Sequence, residues 1–435
     1  MKVSELDLRT LRGWPAGIDN RSPEEALASD QKGATIALRE AQNVDLHNGK
    51  ASRRAGRTLA DAGTPRSLWR DGDMPFALFA EGTMLKGWYG PGQAFNIDSG
   101  LSTHDLSYEL VNDRVYWTDG ARNGVVLMDG SAQPLGCPNP AGQPALRANS
   151  TVGGLHAGNY QVAVTFVTAS GEESGTVLAA SVVIPEGGGI NLTHVPPAPG
   201  SVSMVRVYVS PADGDVLYYA TDLAPGQAQS LIGAHTPGKP LATQFMEPMP
   251  AGHTIRWLNG RLYVASDKAL VWSESLRYGL TRFEYNRLDF AQGLRLMEPI
   301  GAGGAGAGVF VADGTRTYWM GGTDPDKWNQ RIVYGYGAVK GTAVRVPASI
   351  FGFESTETVL YWMASNGVGV IGMPSGQVLP QREGQTVAPA AESGTSILRE
   401  QDGHRQVVTA LHNTNKRTLG FGDSMVVEVI RHDQS

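Results

Sequence analysis

The sequence predicts an all-β protein with a β-propeller-like body, an inserted immunoglobulin- or fibronectin-like β-sandwich and a short helical and extended N-terminal arm. Three observations support this prediction. Glycine makes up 55 of 435 residues and, with other turn residues, separates short runs of β-branched and aromatic residues. Similar pairs of strands recur about every 50 residues. One strand-rich segment interrupts that spacing.

The repeat consists of a strand that ends in a small or polar turn and a second strand that follows soon after. Aligned on Tyr263, Phe310, Tyr361 and Val408, the first strands lie 47, 51 and 47 residues apart. Four-stranded propeller blades have a period of roughly 40 to 50 residues. The steps therefore favour a propeller, while a non-repetitive array of β-sandwiches with evenly placed hairpins is the alternative.

The repeat continues toward the N-terminus. Tyr116 precedes Tyr263 by 147 residues, which equals one period plus an insertion of about 95 residues. We expect a still earlier blade near Phe76–Phe79. The C-terminal strand Met425–Ile430 is a candidate to close that first blade.

The inserted segment, residues 151–248, is dense in strands, and Tyr160–Val167 alternates as a half-buried strand does. This density predicts a small immunoglobulin- or fibronectin-like sandwich. The predicted domains are therefore an N-terminal arm and hairpin at 1–60, a first part of the propeller body at 61–150, the sandwich, and a second part of the body at 249–435.

The N-terminal arm differs in composition from the body. Ser22–Glu25 is typical of a capped start of a short helix, with proline at the first helical position and glutamate where a capping box needs it. Val44–Leu46 and Ala51–Arg53 flank an Asn-Gly pair, which predicts a β-hairpin.

Charge and hydropathy exclude several classes of protein. The 36 basic and 42 acidic residues give a net charge of −6, with no basic block beyond Arg53–Arg54. This argues against a protein that grips nucleic acid through its phosphates, although nucleic acid could slide past a neutral or acidic wall. There is no stretch of 18 apolar residues, so we expect no membrane insertion. We also expect no secretion signal and synthesis in a cytoplasm.

Motifs that would carry catalysis are weak. Cys137 is the single cysteine and lies in a proline-rich loop without a nearby base, so we do not expect a nucleophile. Gly301–Gly306 matches the G-x-G-x-x-G spacing, but Val309–Val311 follows as a strand. A dinucleotide site needs a helix there, so we interpret the run as a flexible connector.

Carboxylates and aromatic residues give similarly weak signals. Asp313, Asp324 and Asp326 could form a calcium or glycosidase cluster, but such residues at strand ends are typical of turns. The histidines lack metal-ligand spacing. Tyr116–Trp117 and Tyr361–Trp362 recur at matching places, which favours blade core over a sugar-stacking platform. We therefore predict no catalytic residues, no cofactor and no metal.

Four stretches near the N-terminus form a signature, at Gly17–Asn20, Ala37–Leu46, Gly49–Lys50 and Arg53-Arg54-x-Gly56. The signature resembles one in tail proteins of tailed bacteriophages, where it opens the β-propeller-like body of tail nozzle and tail hub proteins of short-tailed phages. The segment Tyr160–Ser174 resembles part of the sandwich insert of such proteins in style.

The resemblance implies a structural virion protein of the tail, without enzymatic activity, that is assembled in the host cytoplasm. It implies a ring of this protein, with six copies suiting a nozzle, that lines or closes the DNA channel for genome ejection. Implied partners are further copies and adjacent tail or adaptor proteins or fibres, and DNA would pass without specific binding. The alternative is a glycan-binding or glycan-cleaving propeller protein at the virion surface, which predicts two carboxylates in a pocket lined by tryptophan.

The signature supplies the candidate interaction site. Its asparagines suit turns or caps, and Arg39 and Asp45 flank a chain reversal. An arm of this kind could contact a neighbouring subunit or could brace its own chain, and both hypotheses stay open. The candidate interaction residues are Ile18, Asp19, Asn20, Arg39, Asn43, Asp45, Arg53 and Arg54.

Overall fold

The structure is a computed structural model that describes residues 18–22, 27, 37–39, 44–47, 50–53, 59–176, 178–227, 230–301, 306–381, 387–401, 404–412 and 424–430. The chain forms two compact units. The central unit comprises residues 63–290, and the terminal unit comprises residues 1–62 together with 291–435. Within the described ranges, no helix has the length and apolar character needed to cross a bilayer.

The first two strands of the described residues form the predicted hairpin. Strand β1 (Val44–His47) pairs antiparallel with β2 (Lys50–Arg53), and Val44 lies opposite Arg53. The pairing confirms the hairpin that the Asn-Gly pair predicted. Most of the helix predicted from Ser22–Glu25 lies outside the described residues.

The central unit starts with two antiparallel sheets in which each strand pairs with the next along the chain. Sheet 1 consists of β3 (Arg66–Trp69), β4 (Ala77–Glu81), β5 (Met84–Trp88) and β6 (Ala94–Ser99). Sheet 2 consists of β7 (Ser107–Val111), β8 (Arg114–Thr118), β9 (Asn123–Leu127) and β10 (Ala132–Pro134).

Sheets 1 and 2 share one apolar core. Leu78 and Leu85 of sheet 1 pack in it with Val115 and Trp117 of sheet 2, and all four are buried. Trp117 lies opposite Gly124 on the next strand. A Cβ atom at Gly124 would lie 2.8 Å from the indole ring, so only glycine leaves room for this tryptophan.

Seven strands then form the inserted sandwich: β11 (Ala145–Asn149), β12 (Gly158–Thr168), β13 (Ala180–Ile184), β14 (Gly189–His194), β15 (Val202–Val209), β16 (Tyr218–Leu223) and β17 (Ser230–Ile232). One sheet has the order β11-β14-β17 and the other β13-β12-β15-β16. Val162, Val164 and Phe166 follow the two-residue period of a strand and pack with Ile190 and Leu192 of the other sheet.

The last strands of the central unit are β18 (Glu247–Pro248), β19 (Thr254–Leu258), β20 (Arg261–Ala265), β21 (Ala269–Trp272), β22 (Leu280–Thr281) and β23 (Arg287–Asp289). Sheet 3 has the order β19-β20-β21-β23, and β18 pairs with β22. Tyr116 and Val125 of sheet 2 share a core with Ile255 and Leu262 of sheet 3. Sheets 2 and 3 therefore pack together although the sandwich separates them in sequence.

Besides the β1–β2 hairpin, the described residues of the terminal unit form three sheets. Sheet 4 consists of β24 (Leu296–Ile300), β25 (Gly308–Ala312), β26 (Thr317–Gly321) and β27 (Asn329–Tyr334). Sheet 5 consists of β28 (Val344–Pro347), β29 (Thr358–Met363), β30 (Gly369–Gly372) and β31 (Val378–Pro380). Sheet 6 consists of β32 (Ser393–Gln401), β33 (His404–His412) and β34 (Ser424–Ile430). Short 3-10 helices span Pro325–Lys327 and Ala348–Phe351.

The predicted repeat corresponds to these sheets. The five aligned residues, Tyr116, Tyr263, Phe310, Tyr361 and Val408, each lie on the second strand of sheets 2 to 6 in turn. The up-and-down order of the four-stranded sheets is that of propeller blades. The predicted fold class is confirmed: an all-β, propeller-like body with an inserted sandwich.

Of two predictions about the first blade, the structure contradicts one and confirms the other. The expectation that Met425–Ile430 closes the first blade is wrong, because β34 pairs with β33 inside sheet 6. The earlier blade expected near Phe76–Phe79 is confirmed as sheet 1, since β4 begins at Ala77. The predicted domain boundaries stay a prediction, and the sandwich strands run from 145 to 232.

Candidate interaction site

The structure brings the two halves of the N-terminal signature together. Ile18 forms a parallel bridge with Leu38, and the Asp19 amide donates to the Leu38 carbonyl at 2.8 Å. The Arg39 guanidinium donates to the Ser22 carbonyl at 3.2 Å. We call Ile18–Ser22 with Leu38 and Arg39 the N-terminal clamp.

Asp19 holds the turn of the clamp. Its Oδ1 atom accepts hydrogen bonds from the backbone N–H groups of Ser22, at 2.9 Å, and Arg21, at 3.1 Å. The hydrogen bond from Ser22 is the main cause that lowers the pKa of Asp19, and the nearby Arg39 charge lowers it further. The carboxylate is therefore ionised at neutral pH and acts as a local cap.

Asn20 fastens the clamp to a distant segment of the terminal unit. Its Nδ2 donates to the Val387 carbonyl at 2.9 Å, and its Oδ1 accepts from the Val387 N–H at 3.2 Å. The next residue, Ala388, donates its N–H to Gly367 at 2.7 Å and packs in a small core with Leu411 of sheet 6. The clamp thus reaches the segment that connects sheets 5 and 6.

Arg39 belongs to the N-terminal clamp, and the other four predicted interaction residues do not. Asn43 and Arg54 lie outside the described residues. Asp45 lies on β1 opposite Ser52, and Arg53 lies exposed on β2. The structure shows the bracing of the chain by Asn20 as an intramolecular contact. A contact with a neighbouring subunit stays a prediction.

Sequence reasoning missed a second feature, a cavity where the sandwich meets sheets 2 and 3. The cavity has a volume of about 580 Å³, and its lining includes Arg114, Glu172, Arg277 and Tyr278. Burial raises the pKa of Glu172 and outweighs the Arg114 charge, which acts in the opposite direction. No local pattern signals this site, because its residues come from five separate parts of the chain.

The neighbouring carboxylate, Glu173, is committed to the sandwich. Its Oε1 accepts from the Tyr208 hydroxyl at 2.6 Å and from the Thr165 hydroxyl at 2.7 Å. Its Oε2 accepts from Arg206 at 3.0 Å. Burial and then this carboxylate raise the pKa of Tyr208 well above its ordinary value. Glu173 therefore links strands β12 and β15 beside the cavity, which both Glu172 and Glu173 line.

The carboxylates considered for catalysis or calcium have turn roles. Asp313 accepts hydrogen bonds from the Thr315 and Arg316 N–H groups. Asp324 caps the first 3-10 helix by accepting from the Asp326 N–H. No group of three or more metal-ligating side chains occurs in the part of the chain that the structure describes.

The surroundings of the single cysteine and of the glycine run agree with structural rather than catalytic or ligand-binding roles. Cys137 is fully buried in the sandwich core, and burial raises the pKa of its thiol to about 11. A thiol in this state is a poor nucleophile. Strand β25 follows the glycine run from Gly308, although residues 302–305 lie outside the described ranges.

The recurrent tryptophans belong to the cores, as predicted. Trp117 and Trp362 are fully buried, and Trp272 and Trp319 nearly so. The described lining of the cavity includes no tryptophan. The arrangement that the glycan-cleaving alternative requires is therefore not formed by these residues.

Comparison with known proteins gives little. No protein-family profile matches the chain, and no curated protein matches it. A chain from the crystal structure of BBS1N in complex with ARL6DN matches 86% of this chain and 95% of its own length, at 11% identity and a TM-score of 0.35.

Two other solved structures match at lower TM-scores. The N-terminal domain of Nup159 matches 79% of this chain and 71% of its own length, at 10% identity and a TM-score of 0.26. PorZ, a surface component of the type-IX secretion system of Porphyromonas gingivalis, matches 84% of this chain and 52% of its own length, at 13% identity and a TM-score of 0.23. Similarities this weak transfer no function, and the resemblance to tail proteins stays a prediction.

Proposed function

We propose that this protein is a structural component of a bacteriophage tail. Copies of it assemble into a ring, six in a nozzle, that lines or closes the DNA channel, and adjacent tail proteins or fibres contact its outer surfaces. The observation that carries the proposal is the N-terminal clamp. The residues on which the resemblance to tail nozzle and hub proteins depends, Ile18–Asn20 and Leu38–Arg39, come together and fasten to the segment at Val387.

The construction of the body suits a passive wall. Sheet 2 shares one apolar core with sheet 1 and another with sheet 3, and interiors packed in this way deform little. Subunits of a closed ring contact each other head to tail, and such contacts need stiff surfaces. The chain carries a modest net negative charge of −6, which is compatible with DNA moving past it without binding.

The experiment is a test of location and copy number. Tailed particles produced by a host that carries this gene are purified, and the protein is quantified by mass spectrometry against the major capsid protein and labelled by immunogold. We expect six copies per particle and label confined to the tail. No copy in purified particles, or label on the head alone, overturns the proposal.

A matched assay addresses the surface-glycan alternative. The purified chain is applied to a glycan array and to a reducing-sugar assay with host envelope polysaccharide. We expect neither binding nor release of sugar. Sugar release by the chain without any tail label would replace the proposed function with the enzymatic one.

A further inference from the structure

Sheet 6 differs from the other blade sheets in its number of strands. Sheets 1 to 5 each have four strands in sequential order from one edge to the other, whereas the described strands of sheet 6 have the order β32-β33-β34. Strand β34 therefore occupies the third position, which is central in the other five sheets, but lies at the edge of sheet 6.

The residues of β34 are those of a central strand. Its sequence Ser-Met-Val-Val-Glu-Val-Ile contains one charged residue, Glu428, and no proline or lysine. The third strands of the other sheets are similarly apolar, as in Asn123–Leu127 and Ala269–Trp272. Proteins protect real edge strands with charges, prolines or short length, and β34 has seven residues and little such protection.

The outermost strands of the other sheets show this protection. Three of them have three residues each, and two of these three end in proline, at Pro134 and Pro380. The other short one, Arg287–Asp289, carries two charges. The longer strands Ala94–Ser99 and Asn329–Tyr334 carry Asp98 and Arg331. The contrast indicates that β34 is covered by a further strand.

The same terminal unit contains the two-stranded β1–β2 hairpin, whose outer edges can pair with a further strand. The β1–β2 hairpin has four residues in each strand, and among the described strands it pairs only with itself. A two-stranded hairpin alone is marginally stable in water. Addition to an open sheet edge satisfies the unpaired backbone groups of both.

Among the described strands, the hairpin and β34 of one chain are not paired, although the clamp fastens described residues before the hairpin to the segment at Val387. A second copy of the chain can make this pairing. A contact between two different surfaces of identical chains is heterologous, and repetition of such a contact closes a ring when the rotation fits.

We propose that the β1–β2 hairpin of one copy adds to the edge of β34 in a neighbouring copy, completes sheet 6 with a fourth strand, and links the subunits head to tail. This inference rests on the proposed function, because it supplies the contact between copies that a ring requires.

Cysteine cross-linking tests the pairing in the full chain. The native Cys137 is buried, so it contributes little background. One set of chains carries Asp45→Cys or Ser52→Cys, which lie opposite each other in the hairpin. A second set, with a different affinity tag, carries Val427→Cys or Glu428→Cys, two successive positions on β34, so that the set samples both faces of the completed sheet. The sets are mixed under mild oxidation and with a short bismaleimide.

We expect a mixed dimer that contains both tags, at roughly tenfold the yield of the control, because strand pairing brings the cysteines within disulfide reach. The control replaces the second set with Gln330→Cys on β27, an exposed residue at the edge of sheet 4. Thermal melting of each variant checks that it folds like the unmodified chain.

The outcomes separate the inference from the proposed function. A mixed product no greater than that of the Gln330→Cys control overturns the inference. If particles still contain six tail-located copies in that case, the proposed function stands. Absence of the protein from particles overturns the proposed function independently of cross-linking.

Discussion

Asp119 and Glu172 are two carboxylates of the central unit whose pKa values move in opposite directions. Burial acts to raise the pKa of Asp119, but N–H groups of Ser102, Arg122 and Ala121 outweigh it and lower the pKa. Burial also raises the pKa of Glu172, and there the opposing Arg114 charge is insufficient. The comparison teaches that the number of donors aimed at a carboxylate, rather than burial alone, decides the direction.

The local structure explains the difference. Asp119 directly follows β8, and its side chain accepts from three backbone N–H groups at 2.6 to 2.9 Å, those of Ala121 and Arg122 in the same turn and that of Ser102 in the loop after β6. Asp313 has the same position after β25 and accepts two amides and the Thr315 hydroxyl. Blade turns therefore provide a repeated site for a carboxylate. The turn before Glu172 instead uses the Glu172 N–H for a bond to the Thr168 hydroxyl.

The largest expected effect is that of removing a blade-turn carboxylate. We expect Asp119→Ala to lower the free energy of unfolding by about 3 kcal/mol, because three N–H donors lose a charged acceptor. Urea unfolding monitored by tryptophan fluorescence measures the change. The matched control is Asp129→Ala, an exposed turn aspartate that accepts from Ser131, for which we expect a much smaller change. Equal effects of the two variants would contradict the role assigned to the three backbone donors of Asp119.

The next effect is a pH dependence. The folded pKa of Asp119 is lowered, so its charge contributes stability above the unfolded pKa of about 4, and this is lost as pH falls through the folded value. We expect Asp119→Asn to be about 2 kcal/mol less stable than the unmodified chain at pH 7. The gap should shrink below pH 4 in urea titrations. If the stability difference between Asp119→Asn and the unmodified chain stays constant down to acid pH, the Asp119 charge does not contribute to stability.

A smaller effect of opposite sign is expected at Glu172. Its folded pKa is raised, so ionisation in the folded state costs stability as pH rises through that value, and no cost exists below the unfolded pKa. We expect Glu172→Gln to be as stable as the unmodified chain at pH 4 and more stable by less than about 1 kcal/mol at pH 7. Destabilisation at pH 7 would mean that the pairing with Arg114 outweighs burial.

The smallest expected effect is on the labelling rate of the Cys137 thiol, which lies near Glu172. Cys137 lines the cavity but is fully buried, and burial raises its pKa to about 11. We expect its reaction with an aromatic disulfide reagent at pH 8 to be slow in the folded chain and fast in urea. Glu172→Gln should raise this slow rate slightly, because the Glu172 charge adds to burial in raising the pKa of the thiol and the thiolate is the reactive form. Slower labelling in this variant would contradict that electrostatic contribution.

Local patterns were sufficient for much of the fold. The all-β class, the blade spacing and the hairpin at Val44–Arg53 all follow from alternation, turn residues and periodicity over short stretches. The burial of Trp117 and Trp362 follows from their recurrence on the second strands of the blades. The prediction that Met425–Ile430 closes the first blade was wrong, because the apolar sequence of a strand does not specify which of several sheet edges it joins.

Which residues form strands follows from the amino-acid sequence alone, because side-chain alternation and turn chemistry act between neighbours in the chain. The hydrogen bonds of Asn20 to the backbone of Val387, and the meeting of Glu172 and Arg114 in one cavity, arise only when the chain has folded. These contacts join residues whose separation in sequence leaves no periodic trace. They depend on where folded sheets bring their loops, and so on the packing of the whole unit.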